Sequence, residues 1–114
     1  MARRRRERLK PPTSDYTDAE GNVLTLRGAL SPATRREYHD VLHGNPLSQE
    51  DAWHRAVEFL FERLVVRWTV AGVPTVRQKE LVGRLRLSSG AEREWIRSVL
   101  RQHLSEHFPD MEAP

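Results

Sequence analysis

The sequence contains no cysteine, and this absence limits both its chemistry and the ways in which it can be stabilised. Without cysteine there can be no disulfide framework, no thiolate nucleophile and no cysteine-ligated zinc or iron-sulfur site. Stability must therefore come from side-chain packing. This composition is typical of proteins in the reducing cytoplasm, and we expect a cytoplasmic protein.

Long apolar segments are also missing. No run approaches the roughly 20 residues that a membrane-spanning helix requires. The basic opening MARRRRERLKPP is not followed by the apolar region of a secretory signal. We expect a soluble, unprocessed chain with no membrane partner. Its 114 residues correspond to about one domain with a modest core.

Recognisable catalytic motifs are absent as well. The sequence has no phosphate-binding loop, no dinucleotide fingerprint and no GxSxG elbow, so we expect a non-enzymatic protein without a cofactor or small-molecule substrate. One enzymatic alternative stays open, because His39 and His43, and also His103 and His107, have the spacing of paired zinc ligands on a helix. No third ligand is identifiable. We therefore assign no metal site and rank a metal-dependent enzyme last.

Charge is distributed unevenly along the chain. Residues 1–10 carry a net charge of +5, residues 11–74 carry −3, residues 75–101 carry +4 and residues 102–114 carry −3. Two separate segments are therefore basic, a pattern typical of proteins with an anionic partner. A neutral alternative is GC-rich codon usage, since all but two of the basic residues are arginine.

The apolar pattern predicts a mainly α fold, a small helical bundle of about four helices preceded by a short β-hairpin and a disordered basic N-terminal arm. Residues 1–14 form the flexible arginine-rich arm, residues 15–108 the single helical domain and residues 109–114 an acidic C-terminal tail. The arm lacks the apolar residues needed to offset the entropy of ordering. In the hairpin, Tyr16 and Thr17 face the segment from Val23 to Leu26 across a turn in which Gly21 suits a positive φ.

Capping residues mark the ends of the predicted helices. The first helix lies between Ser31, an N-cap, and Gly44. The last helix covers about 90–107 and opens with a capping box at Ser89. A short helix over about 76–85 precedes it.

The longest predicted helix runs from about Ser48 to Val70. One apolar stripe includes Leu60 and a second, on another side of the helix, includes Phe59 and Val66. A helix that is apolar on two sides needs neighbours on both. The second stripe therefore predicts a protein-interaction site at Phe59 and Val66, occupied by a partner protein or by a second copy in a dimer.

The last predicted helix carries a basic ridge formed by Arg93, Arg97 and Arg101, each four residues from the next. Together with the helix before it, this region resembles a helix-turn-helix unit of DNA-binding proteins. The turn departs from that pattern, because Arg86 stands where glycine is usual. A two-helix corner without a role in DNA binding is the simpler interpretation.

These features predict a binding function, and two alternatives remain. In the first, the arm and the ridge contact nucleic-acid phosphates, which releases counterions and makes affinity fall with salt. In the second, the protein is an interaction or assembly module that uses the apolar long helix. The arm residues predicted to bind nucleic acid are Arg3, Arg4, Arg5, Arg6, Arg8 and Lys10.

Overall fold

The computed structural model describes residues 12–44 and 48–114, which form four strands and four helices. The strands make one antiparallel sheet in the order β1-β2-β3-β4. The fold is therefore α+β, and the prediction of a mainly α bundle with only a leading hairpin is wrong. The elements in chain order are β1 (Thr13–Thr17), β2 (Val23–Arg27), α1 (Pro32–His43), α2 (Gln49–Leu64), β3 (Val65–Val70), β4 (Val73–Thr75), α3 (Gln78–Arg86) and α4 (Gly90–His107).

The error lies in residues 65–70, which we predicted as the end of the long helix. In the structure α2 ends at Leu64, and Val65 adopts an extended conformation with φ −73° and ψ 124° that begins β3 without a loop. The segment VVRWTV is rich in β-branched and aromatic residues, which favour strands. The spacing of Leu60, Leu64 and Trp68 nevertheless continued the helical period across this boundary. Pairing with β2 decided the outcome.

A two-residue turn at Ala71 and Gly72 joins β3 to β4. Both residues have positive φ, 51° and 79°, as the type I′ turn requires. The side-chain oxygen of Asn22 accepts a hydrogen bond from the Ala71 amide at 3.0 Å, which ties this turn to the turn between β1 and β2. In that first turn Gly21 has φ 84°, as predicted.

One face of the sheet packs against the helices. The register sets Tyr16 beside Leu24 and Leu24 beside Trp68, so these side chains point to the same face. Burial of apolar surface on this face supplies the main stabilisation of the fold. The buried core cluster consists of Leu24, Leu26, Tyr38, Ala56, Leu60, Phe61, Leu64, Val65, Trp68, Leu81, Leu85, Ile96, Val99, Leu100, Leu104 and Phe108.

The helices α1 and α4 begin where the sequence predicted. The Ser31 hydroxyl accepts a hydrogen bond from the Thr34 amide, and Ser89 and Glu92 form the expected capping box. Strand β1 starts at Thr13, which lies inside the predicted arm of residues 1–14. None of the described helices is both long enough and apolar enough to cross a membrane.

Candidate nucleic-acid interface

The sheet face that points away from the helices is polar. Alternation along β2 places Thr25 and Arg27 on this face, and the register sets Arg67 of β3 opposite Thr25. Thr25 is only 2% exposed, and its hydroxyl donates to the Asp15 carboxylate at 2.6 Å. Arg27 and Arg67 are exposed. From standard strand spacings, their Cα atoms lie about 8 Å apart.

The segment that precedes β1 joins the fold beside Arg27. Thr13 pairs with Arg27 in the sheet, and the Pro12 carbonyl accepts a hydrogen bond from the Gly28 amide at 2.8 Å. The backbone is close-packed here, since a Cβ at Gly28 would lie 3.3 Å from Pro12 and 3.4 Å from His107 Nδ1. We call this place the arm junction. The predicted binding residues Arg3, Arg4, Arg5, Arg6, Arg8 and Lys10 lie outside the described residues.

Arg27 and Arg67, the two exposed arginines of the open sheet face, were not among the binding residues that we predicted from sequence. The alternation in VLTLR, with two leucines inside and the arginine outside, could have identified Arg27. Arg67 could not be identified in this way, because we assigned its segment to a helix. Its place on the open face follows from the pairing of β3 with β2.

Hydrogen bonds of His103 hold β1 and β2 to α4. The Tyr16 hydroxyl lies 2.8 Å from His103 Nδ1, and His103 Nε2 lies 2.8 Å from the Arg27 carbonyl oxygen. Because a carbonyl can only accept, Nε2 carries the proton and Nδ1 accepts from the tyrosine. Burial lowers the pKa of His103, and the nearby His107 acts in the same direction. Burial and the charge of Glu106 raise the pKa of Tyr16 to about 12.

The two rings of each histidine pair lie close together, but no described residue completes either pair as a third metal ligand. The ring centroids are 4.6 Å apart for His39 and His43 and 4.5 Å apart for His103 and His107. Both nitrogens of His103 are occupied by hydrogen bonds, and His107 Nε2 lies 3.1 Å from the Ser14 hydroxyl. Across residues 12–44 and 48–114, no three His, Cys, Asp or Glu side chains are grouped to hold a metal.

The basic ridge predicted on α4 is partly engaged in contacts within the fold. Arg97 Nε donates to the main-chain oxygen of Pro114 at 3.1 Å, and its guanidinium lies 4.9 Å from the ring centroid of Trp53. Arg93 donates to a main-chain carbonyl at the end of α3 at 3.1 Å. Arg101 is exposed, and its side chain has no hydrogen-bond or ion-pair partner in the described part of the chain.

The corner between α3 and α4 is fixed by contacts to the core. Arg84 forms a 2.6 Å ion pair with Glu92, and its guanidinium lies 4.9 Å from the ring centroid of Trp68. The backbone hydrogen bond from Ser89, together with Arg84, lowers the pKa of Glu92. These contacts explain the two-helix corner without any nucleic acid.

The predicted protein-interaction pair, Phe59 and Val66, lies on two different elements. Phe59 on α2 packs against the core, with its ring centroid 6.1 Å from that of Tyr38 and the Arg63 guanidinium 4.7 Å away. Val66 on β3 is the extra residue of a β-bulge opposite β2. The two side chains therefore do not form one helical stripe.

Comparisons of this chain with protein-family models, with curated proteins and with solved structures gave no match. Its function is therefore inferred from the residues and contacts described above.

Proposed function

We propose that the protein is a small non-enzymatic nucleic-acid-binding protein of the cytoplasm, in which the arm contacts phosphates together with Arg27 and Arg67. The position of the arm junction beside Arg27 is the observation that supports this proposal. Because Thr13 pairs with Arg27, the arginine-rich segment joins the fold beside the basic end of the open sheet face. The arm residues assigned to phosphate contact are Arg3, Arg4, Arg5, Arg6, Arg8 and Lys10.

The one acid that β1, β2 and β3 place on the open face with Arg27 and Arg67 is Asp15, whose carboxylate accepts a hydrogen bond from Thr25. Neither guanidinium has a hydrogen-bond or ion-pair partner among residues 12–44 and 48–114. Other exposed arginines are paired, for example Arg55 with Asp51 at 3.1 Å and Arg86 with a glutamate of α2 at 2.7 Å. Unpaired cations attract phosphates most strongly, because binding does not first require an internal ion pair to break.

The chemistry of the open face favours binding to the nucleic-acid backbone. Proteins that read single-stranded bases stack them on aromatic side chains. No aromatic residue stands at the positions that β1, β2 and β3 contribute to this face. These positions are Thr13, Asp15, Thr17, Val23, Thr25, Arg27, Arg67 and Thr69. We therefore expect binding that depends on phosphate charge and has little sequence preference.

The test is binding of a labelled 20-base-pair DNA and a single-stranded RNA across a salt series. Removing residues 1–10 should weaken binding and lower the salt slope, by about 0.9 for each phosphate that the arm no longer neutralises on duplex DNA. The double variant Arg27→Gln with Arg67→Gln should lower the slope by up to about 1.8 more, which is about 0.9 for each arginine that contacts a phosphate. The matched control is Arg55→Gln with Arg86→Gln, which removes the same charge from ion-paired arginines and should have a smaller effect.

Two results would contradict the proposal. One is that the full chain binds neither nucleic acid at low salt. The other is that the control pair weakens binding as much as Arg27→Gln with Arg67→Gln, since net charge alone would then explain the effect. The ridge is tested separately by Arg101→Gln, which should lower the slope by about 0.9 if this exposed arginine contacts a phosphate.

The alternative of a protein-interaction or assembly module has less support. It depended on Phe59 and Val66 forming one apolar stripe, and they lie on α2 and β3. Sedimentation over a range of protein concentrations distinguishes the two functions, because a self-associating module increases in mass without nucleic acid.

A further inference from the structure

The C-terminal segment, residues 109–114, lies along α1 and is held in part by hydrogen bonds to its main chain. Phe108, just before it, is 1% exposed. The Tyr38 hydroxyl donates to the Glu112 carbonyl at 2.6 Å, and Arg97 donates to the main-chain oxygen of Pro114 at 3.1 Å. None of these contacts uses an acidic side chain of the segment. The tail, as we call residues 109–114, can therefore stay in place without its acidic side chains.

The two acidic side chains of the tail instead lie against basic groups of α1. The Asp110 carboxylate is 3.3 Å from the Arg35 guanidinium, and the Glu112 carboxylate is 3.3 Å from His43 Nε2. Residues of this part of α1 and of the tail line a cleft of about 340 Å³, and Arg36 is among them. The tail thus brings negative charge to a basic surface.

This basic surface lies at the same end of the fold as the arm junction. The Arg35 guanidinium is 5.2 Å from the ring centroid of Phe108. Phe108 directly follows His107, which packs beside Gly28 at the arm junction. Two consecutive residues, His107 and Phe108, therefore connect the arm junction with Arg35, and a nucleic acid bound at the junction would pass close to Arg35.

The acidic contacts are weak enough to exchange. The side chains of Asp110 and Glu112 are 72% and 68% exposed. Exposed ion pairs contribute little to stability, since water and salt screen them. A phosphate can replace such a carboxylate on arginine, because both anions accept paired hydrogen bonds from the guanidinium.

We propose, building on the nucleic-acid function proposed above, that the acidic tail competes with nucleic-acid phosphates for Arg35 and Arg36. These arginines form a second phosphate-binding surface, and the tail carboxylates reduce the affinity of this surface. The tail thereby sets the overall affinity of the protein for nucleic acid.

The experiment compares two charge-matched double variants in the full chain. The first, Asp110→Asn with Glu112→Gln, removes the tail carboxylates and keeps the backbone hydrogen bond to Tyr38. The control, Glu20→Gln with Glu80→Gln, removes the same charge from exposed acids that form no ion pair with the described residues. Binding of the 20-base-pair DNA is measured across salt, and far-ultraviolet circular dichroism confirms that each variant is folded.

The tail variant should bind about three- to tenfold more tightly than the control at low salt. Its salt slope should be steeper by about 0.9 for each additional phosphate that the exposed arginines neutralise. Adding Arg35→Gln to the tail variant should cancel most of this increase in affinity, whereas Arg35→Gln alone should change the affinity of the original chain less.

The possible failures are distinguishable. If the original chain binds but the tail variant binds no more tightly than the control, the competition is refuted and the proposed function stands. If the tighter binding persists when Arg35→Gln is added, Arg35 is not the contested site, and the proposal is again overturned. If no variant binds DNA or RNA at the lowest salt, both the competition and the proposed function fail.

Discussion

Replacing Tyr16 with phenylalanine should destabilise the fold by removing one hydroxyl from the contact between β1 and α4. That hydroxyl donates to His103 Nδ1 at 2.8 Å, while His103 Nε2 is already committed to the Arg27 carbonyl. Because His103 is 0% exposed, water cannot replace the tyrosine hydroxyl as the hydrogen-bond donor to Nδ1 in the variant. A buried acceptor without a partner costs about 1 to 3 kcal/mol. Since phenylalanine keeps the ring in place, we expect a decrease of about 1 to 2 kcal/mol in the free energy of unfolding.

The same contact makes stability depend on pH. Burial lowers the pKa of His103 in the folded protein below its ordinary value of 6.5. A lowered pKa means that the unfolded chain binds the proton more tightly, so the stabilisation is fully present above pH 6.5 and is lost as pH falls towards the folded pKa. One proton gives a slope of at most about 1.4 kcal/mol per pH unit. The other ionisable groups near the ring are Tyr16, Glu106 and His107.

Urea unfolding followed by tryptophan fluorescence, repeated between pH 5 and pH 8, measures both effects. His103→Gln should flatten the slope below pH 6.5, whereas His54→Gln, an exposed histidine on α2, should keep it. The reasoning is refuted if Tyr16→Phe costs less than about 0.5 kcal/mol at pH 7.5, the lower end of the range for a net hydrogen bond. It is also refuted if His103→Gln retains the acid slope of the original chain.

Substitutions at three other places in the fold should change stability, each measured by urea unfolding. Ala71→Asn should stabilise the fold by about 0.5 to 1 kcal/mol, because the sequence Asn-Gly suits a type I′ turn. Gly72→Ala should destabilise the fold by about 1 kcal/mol. Equal effects of the two substitutions on the free energy of unfolding would contradict the turn assignment. Ser89→Ala should cost about 1 kcal/mol by removing the cap of α4, and Ser98→Ala in the same helix should be near neutral. Phe61→Ala should cost about 3 to 5 kcal/mol, since Phe61 is 0% exposed, and a cost below about 2 kcal/mol would mean that this part of the core is loosely packed.

Local features of the fold were predictable because they depend on residues close together in the chain. The turn at Gly21 and the N-caps at Ser31 and Ser89 each involve a few neighbouring residues, and all three agree with the structure. The buried face of α4 was predicted from helical spacing, and Ile96 and Leu100 lie on it as expected.

The candidate interface was predictable only in part. The arginine-rich arm was evident from composition, and the predicted ridge has the expected helical spacing. The structure adds that Arg97 is occupied by Pro114 and Trp53, whereas Arg27 and Arg67 are left unpaired within the described residues. Whether an arginine is available to bind a phosphate depends on which other groups the fold places next to its guanidinium. Those groups are distant in sequence.

The sequence by itself determined where helices begin, where the chain turns and which segments are basic, because caps, turns and composition act over a few residues. Only the tertiary structure decided that residues 65–70 form a strand, since the helical period of Leu60, Leu64 and Trp68 competes there with pairing to β2, about 40 residues earlier. It also decided that the tail lies against α1, near Arg35. Contacts between distant segments, which local patterns do not encode, determined both results.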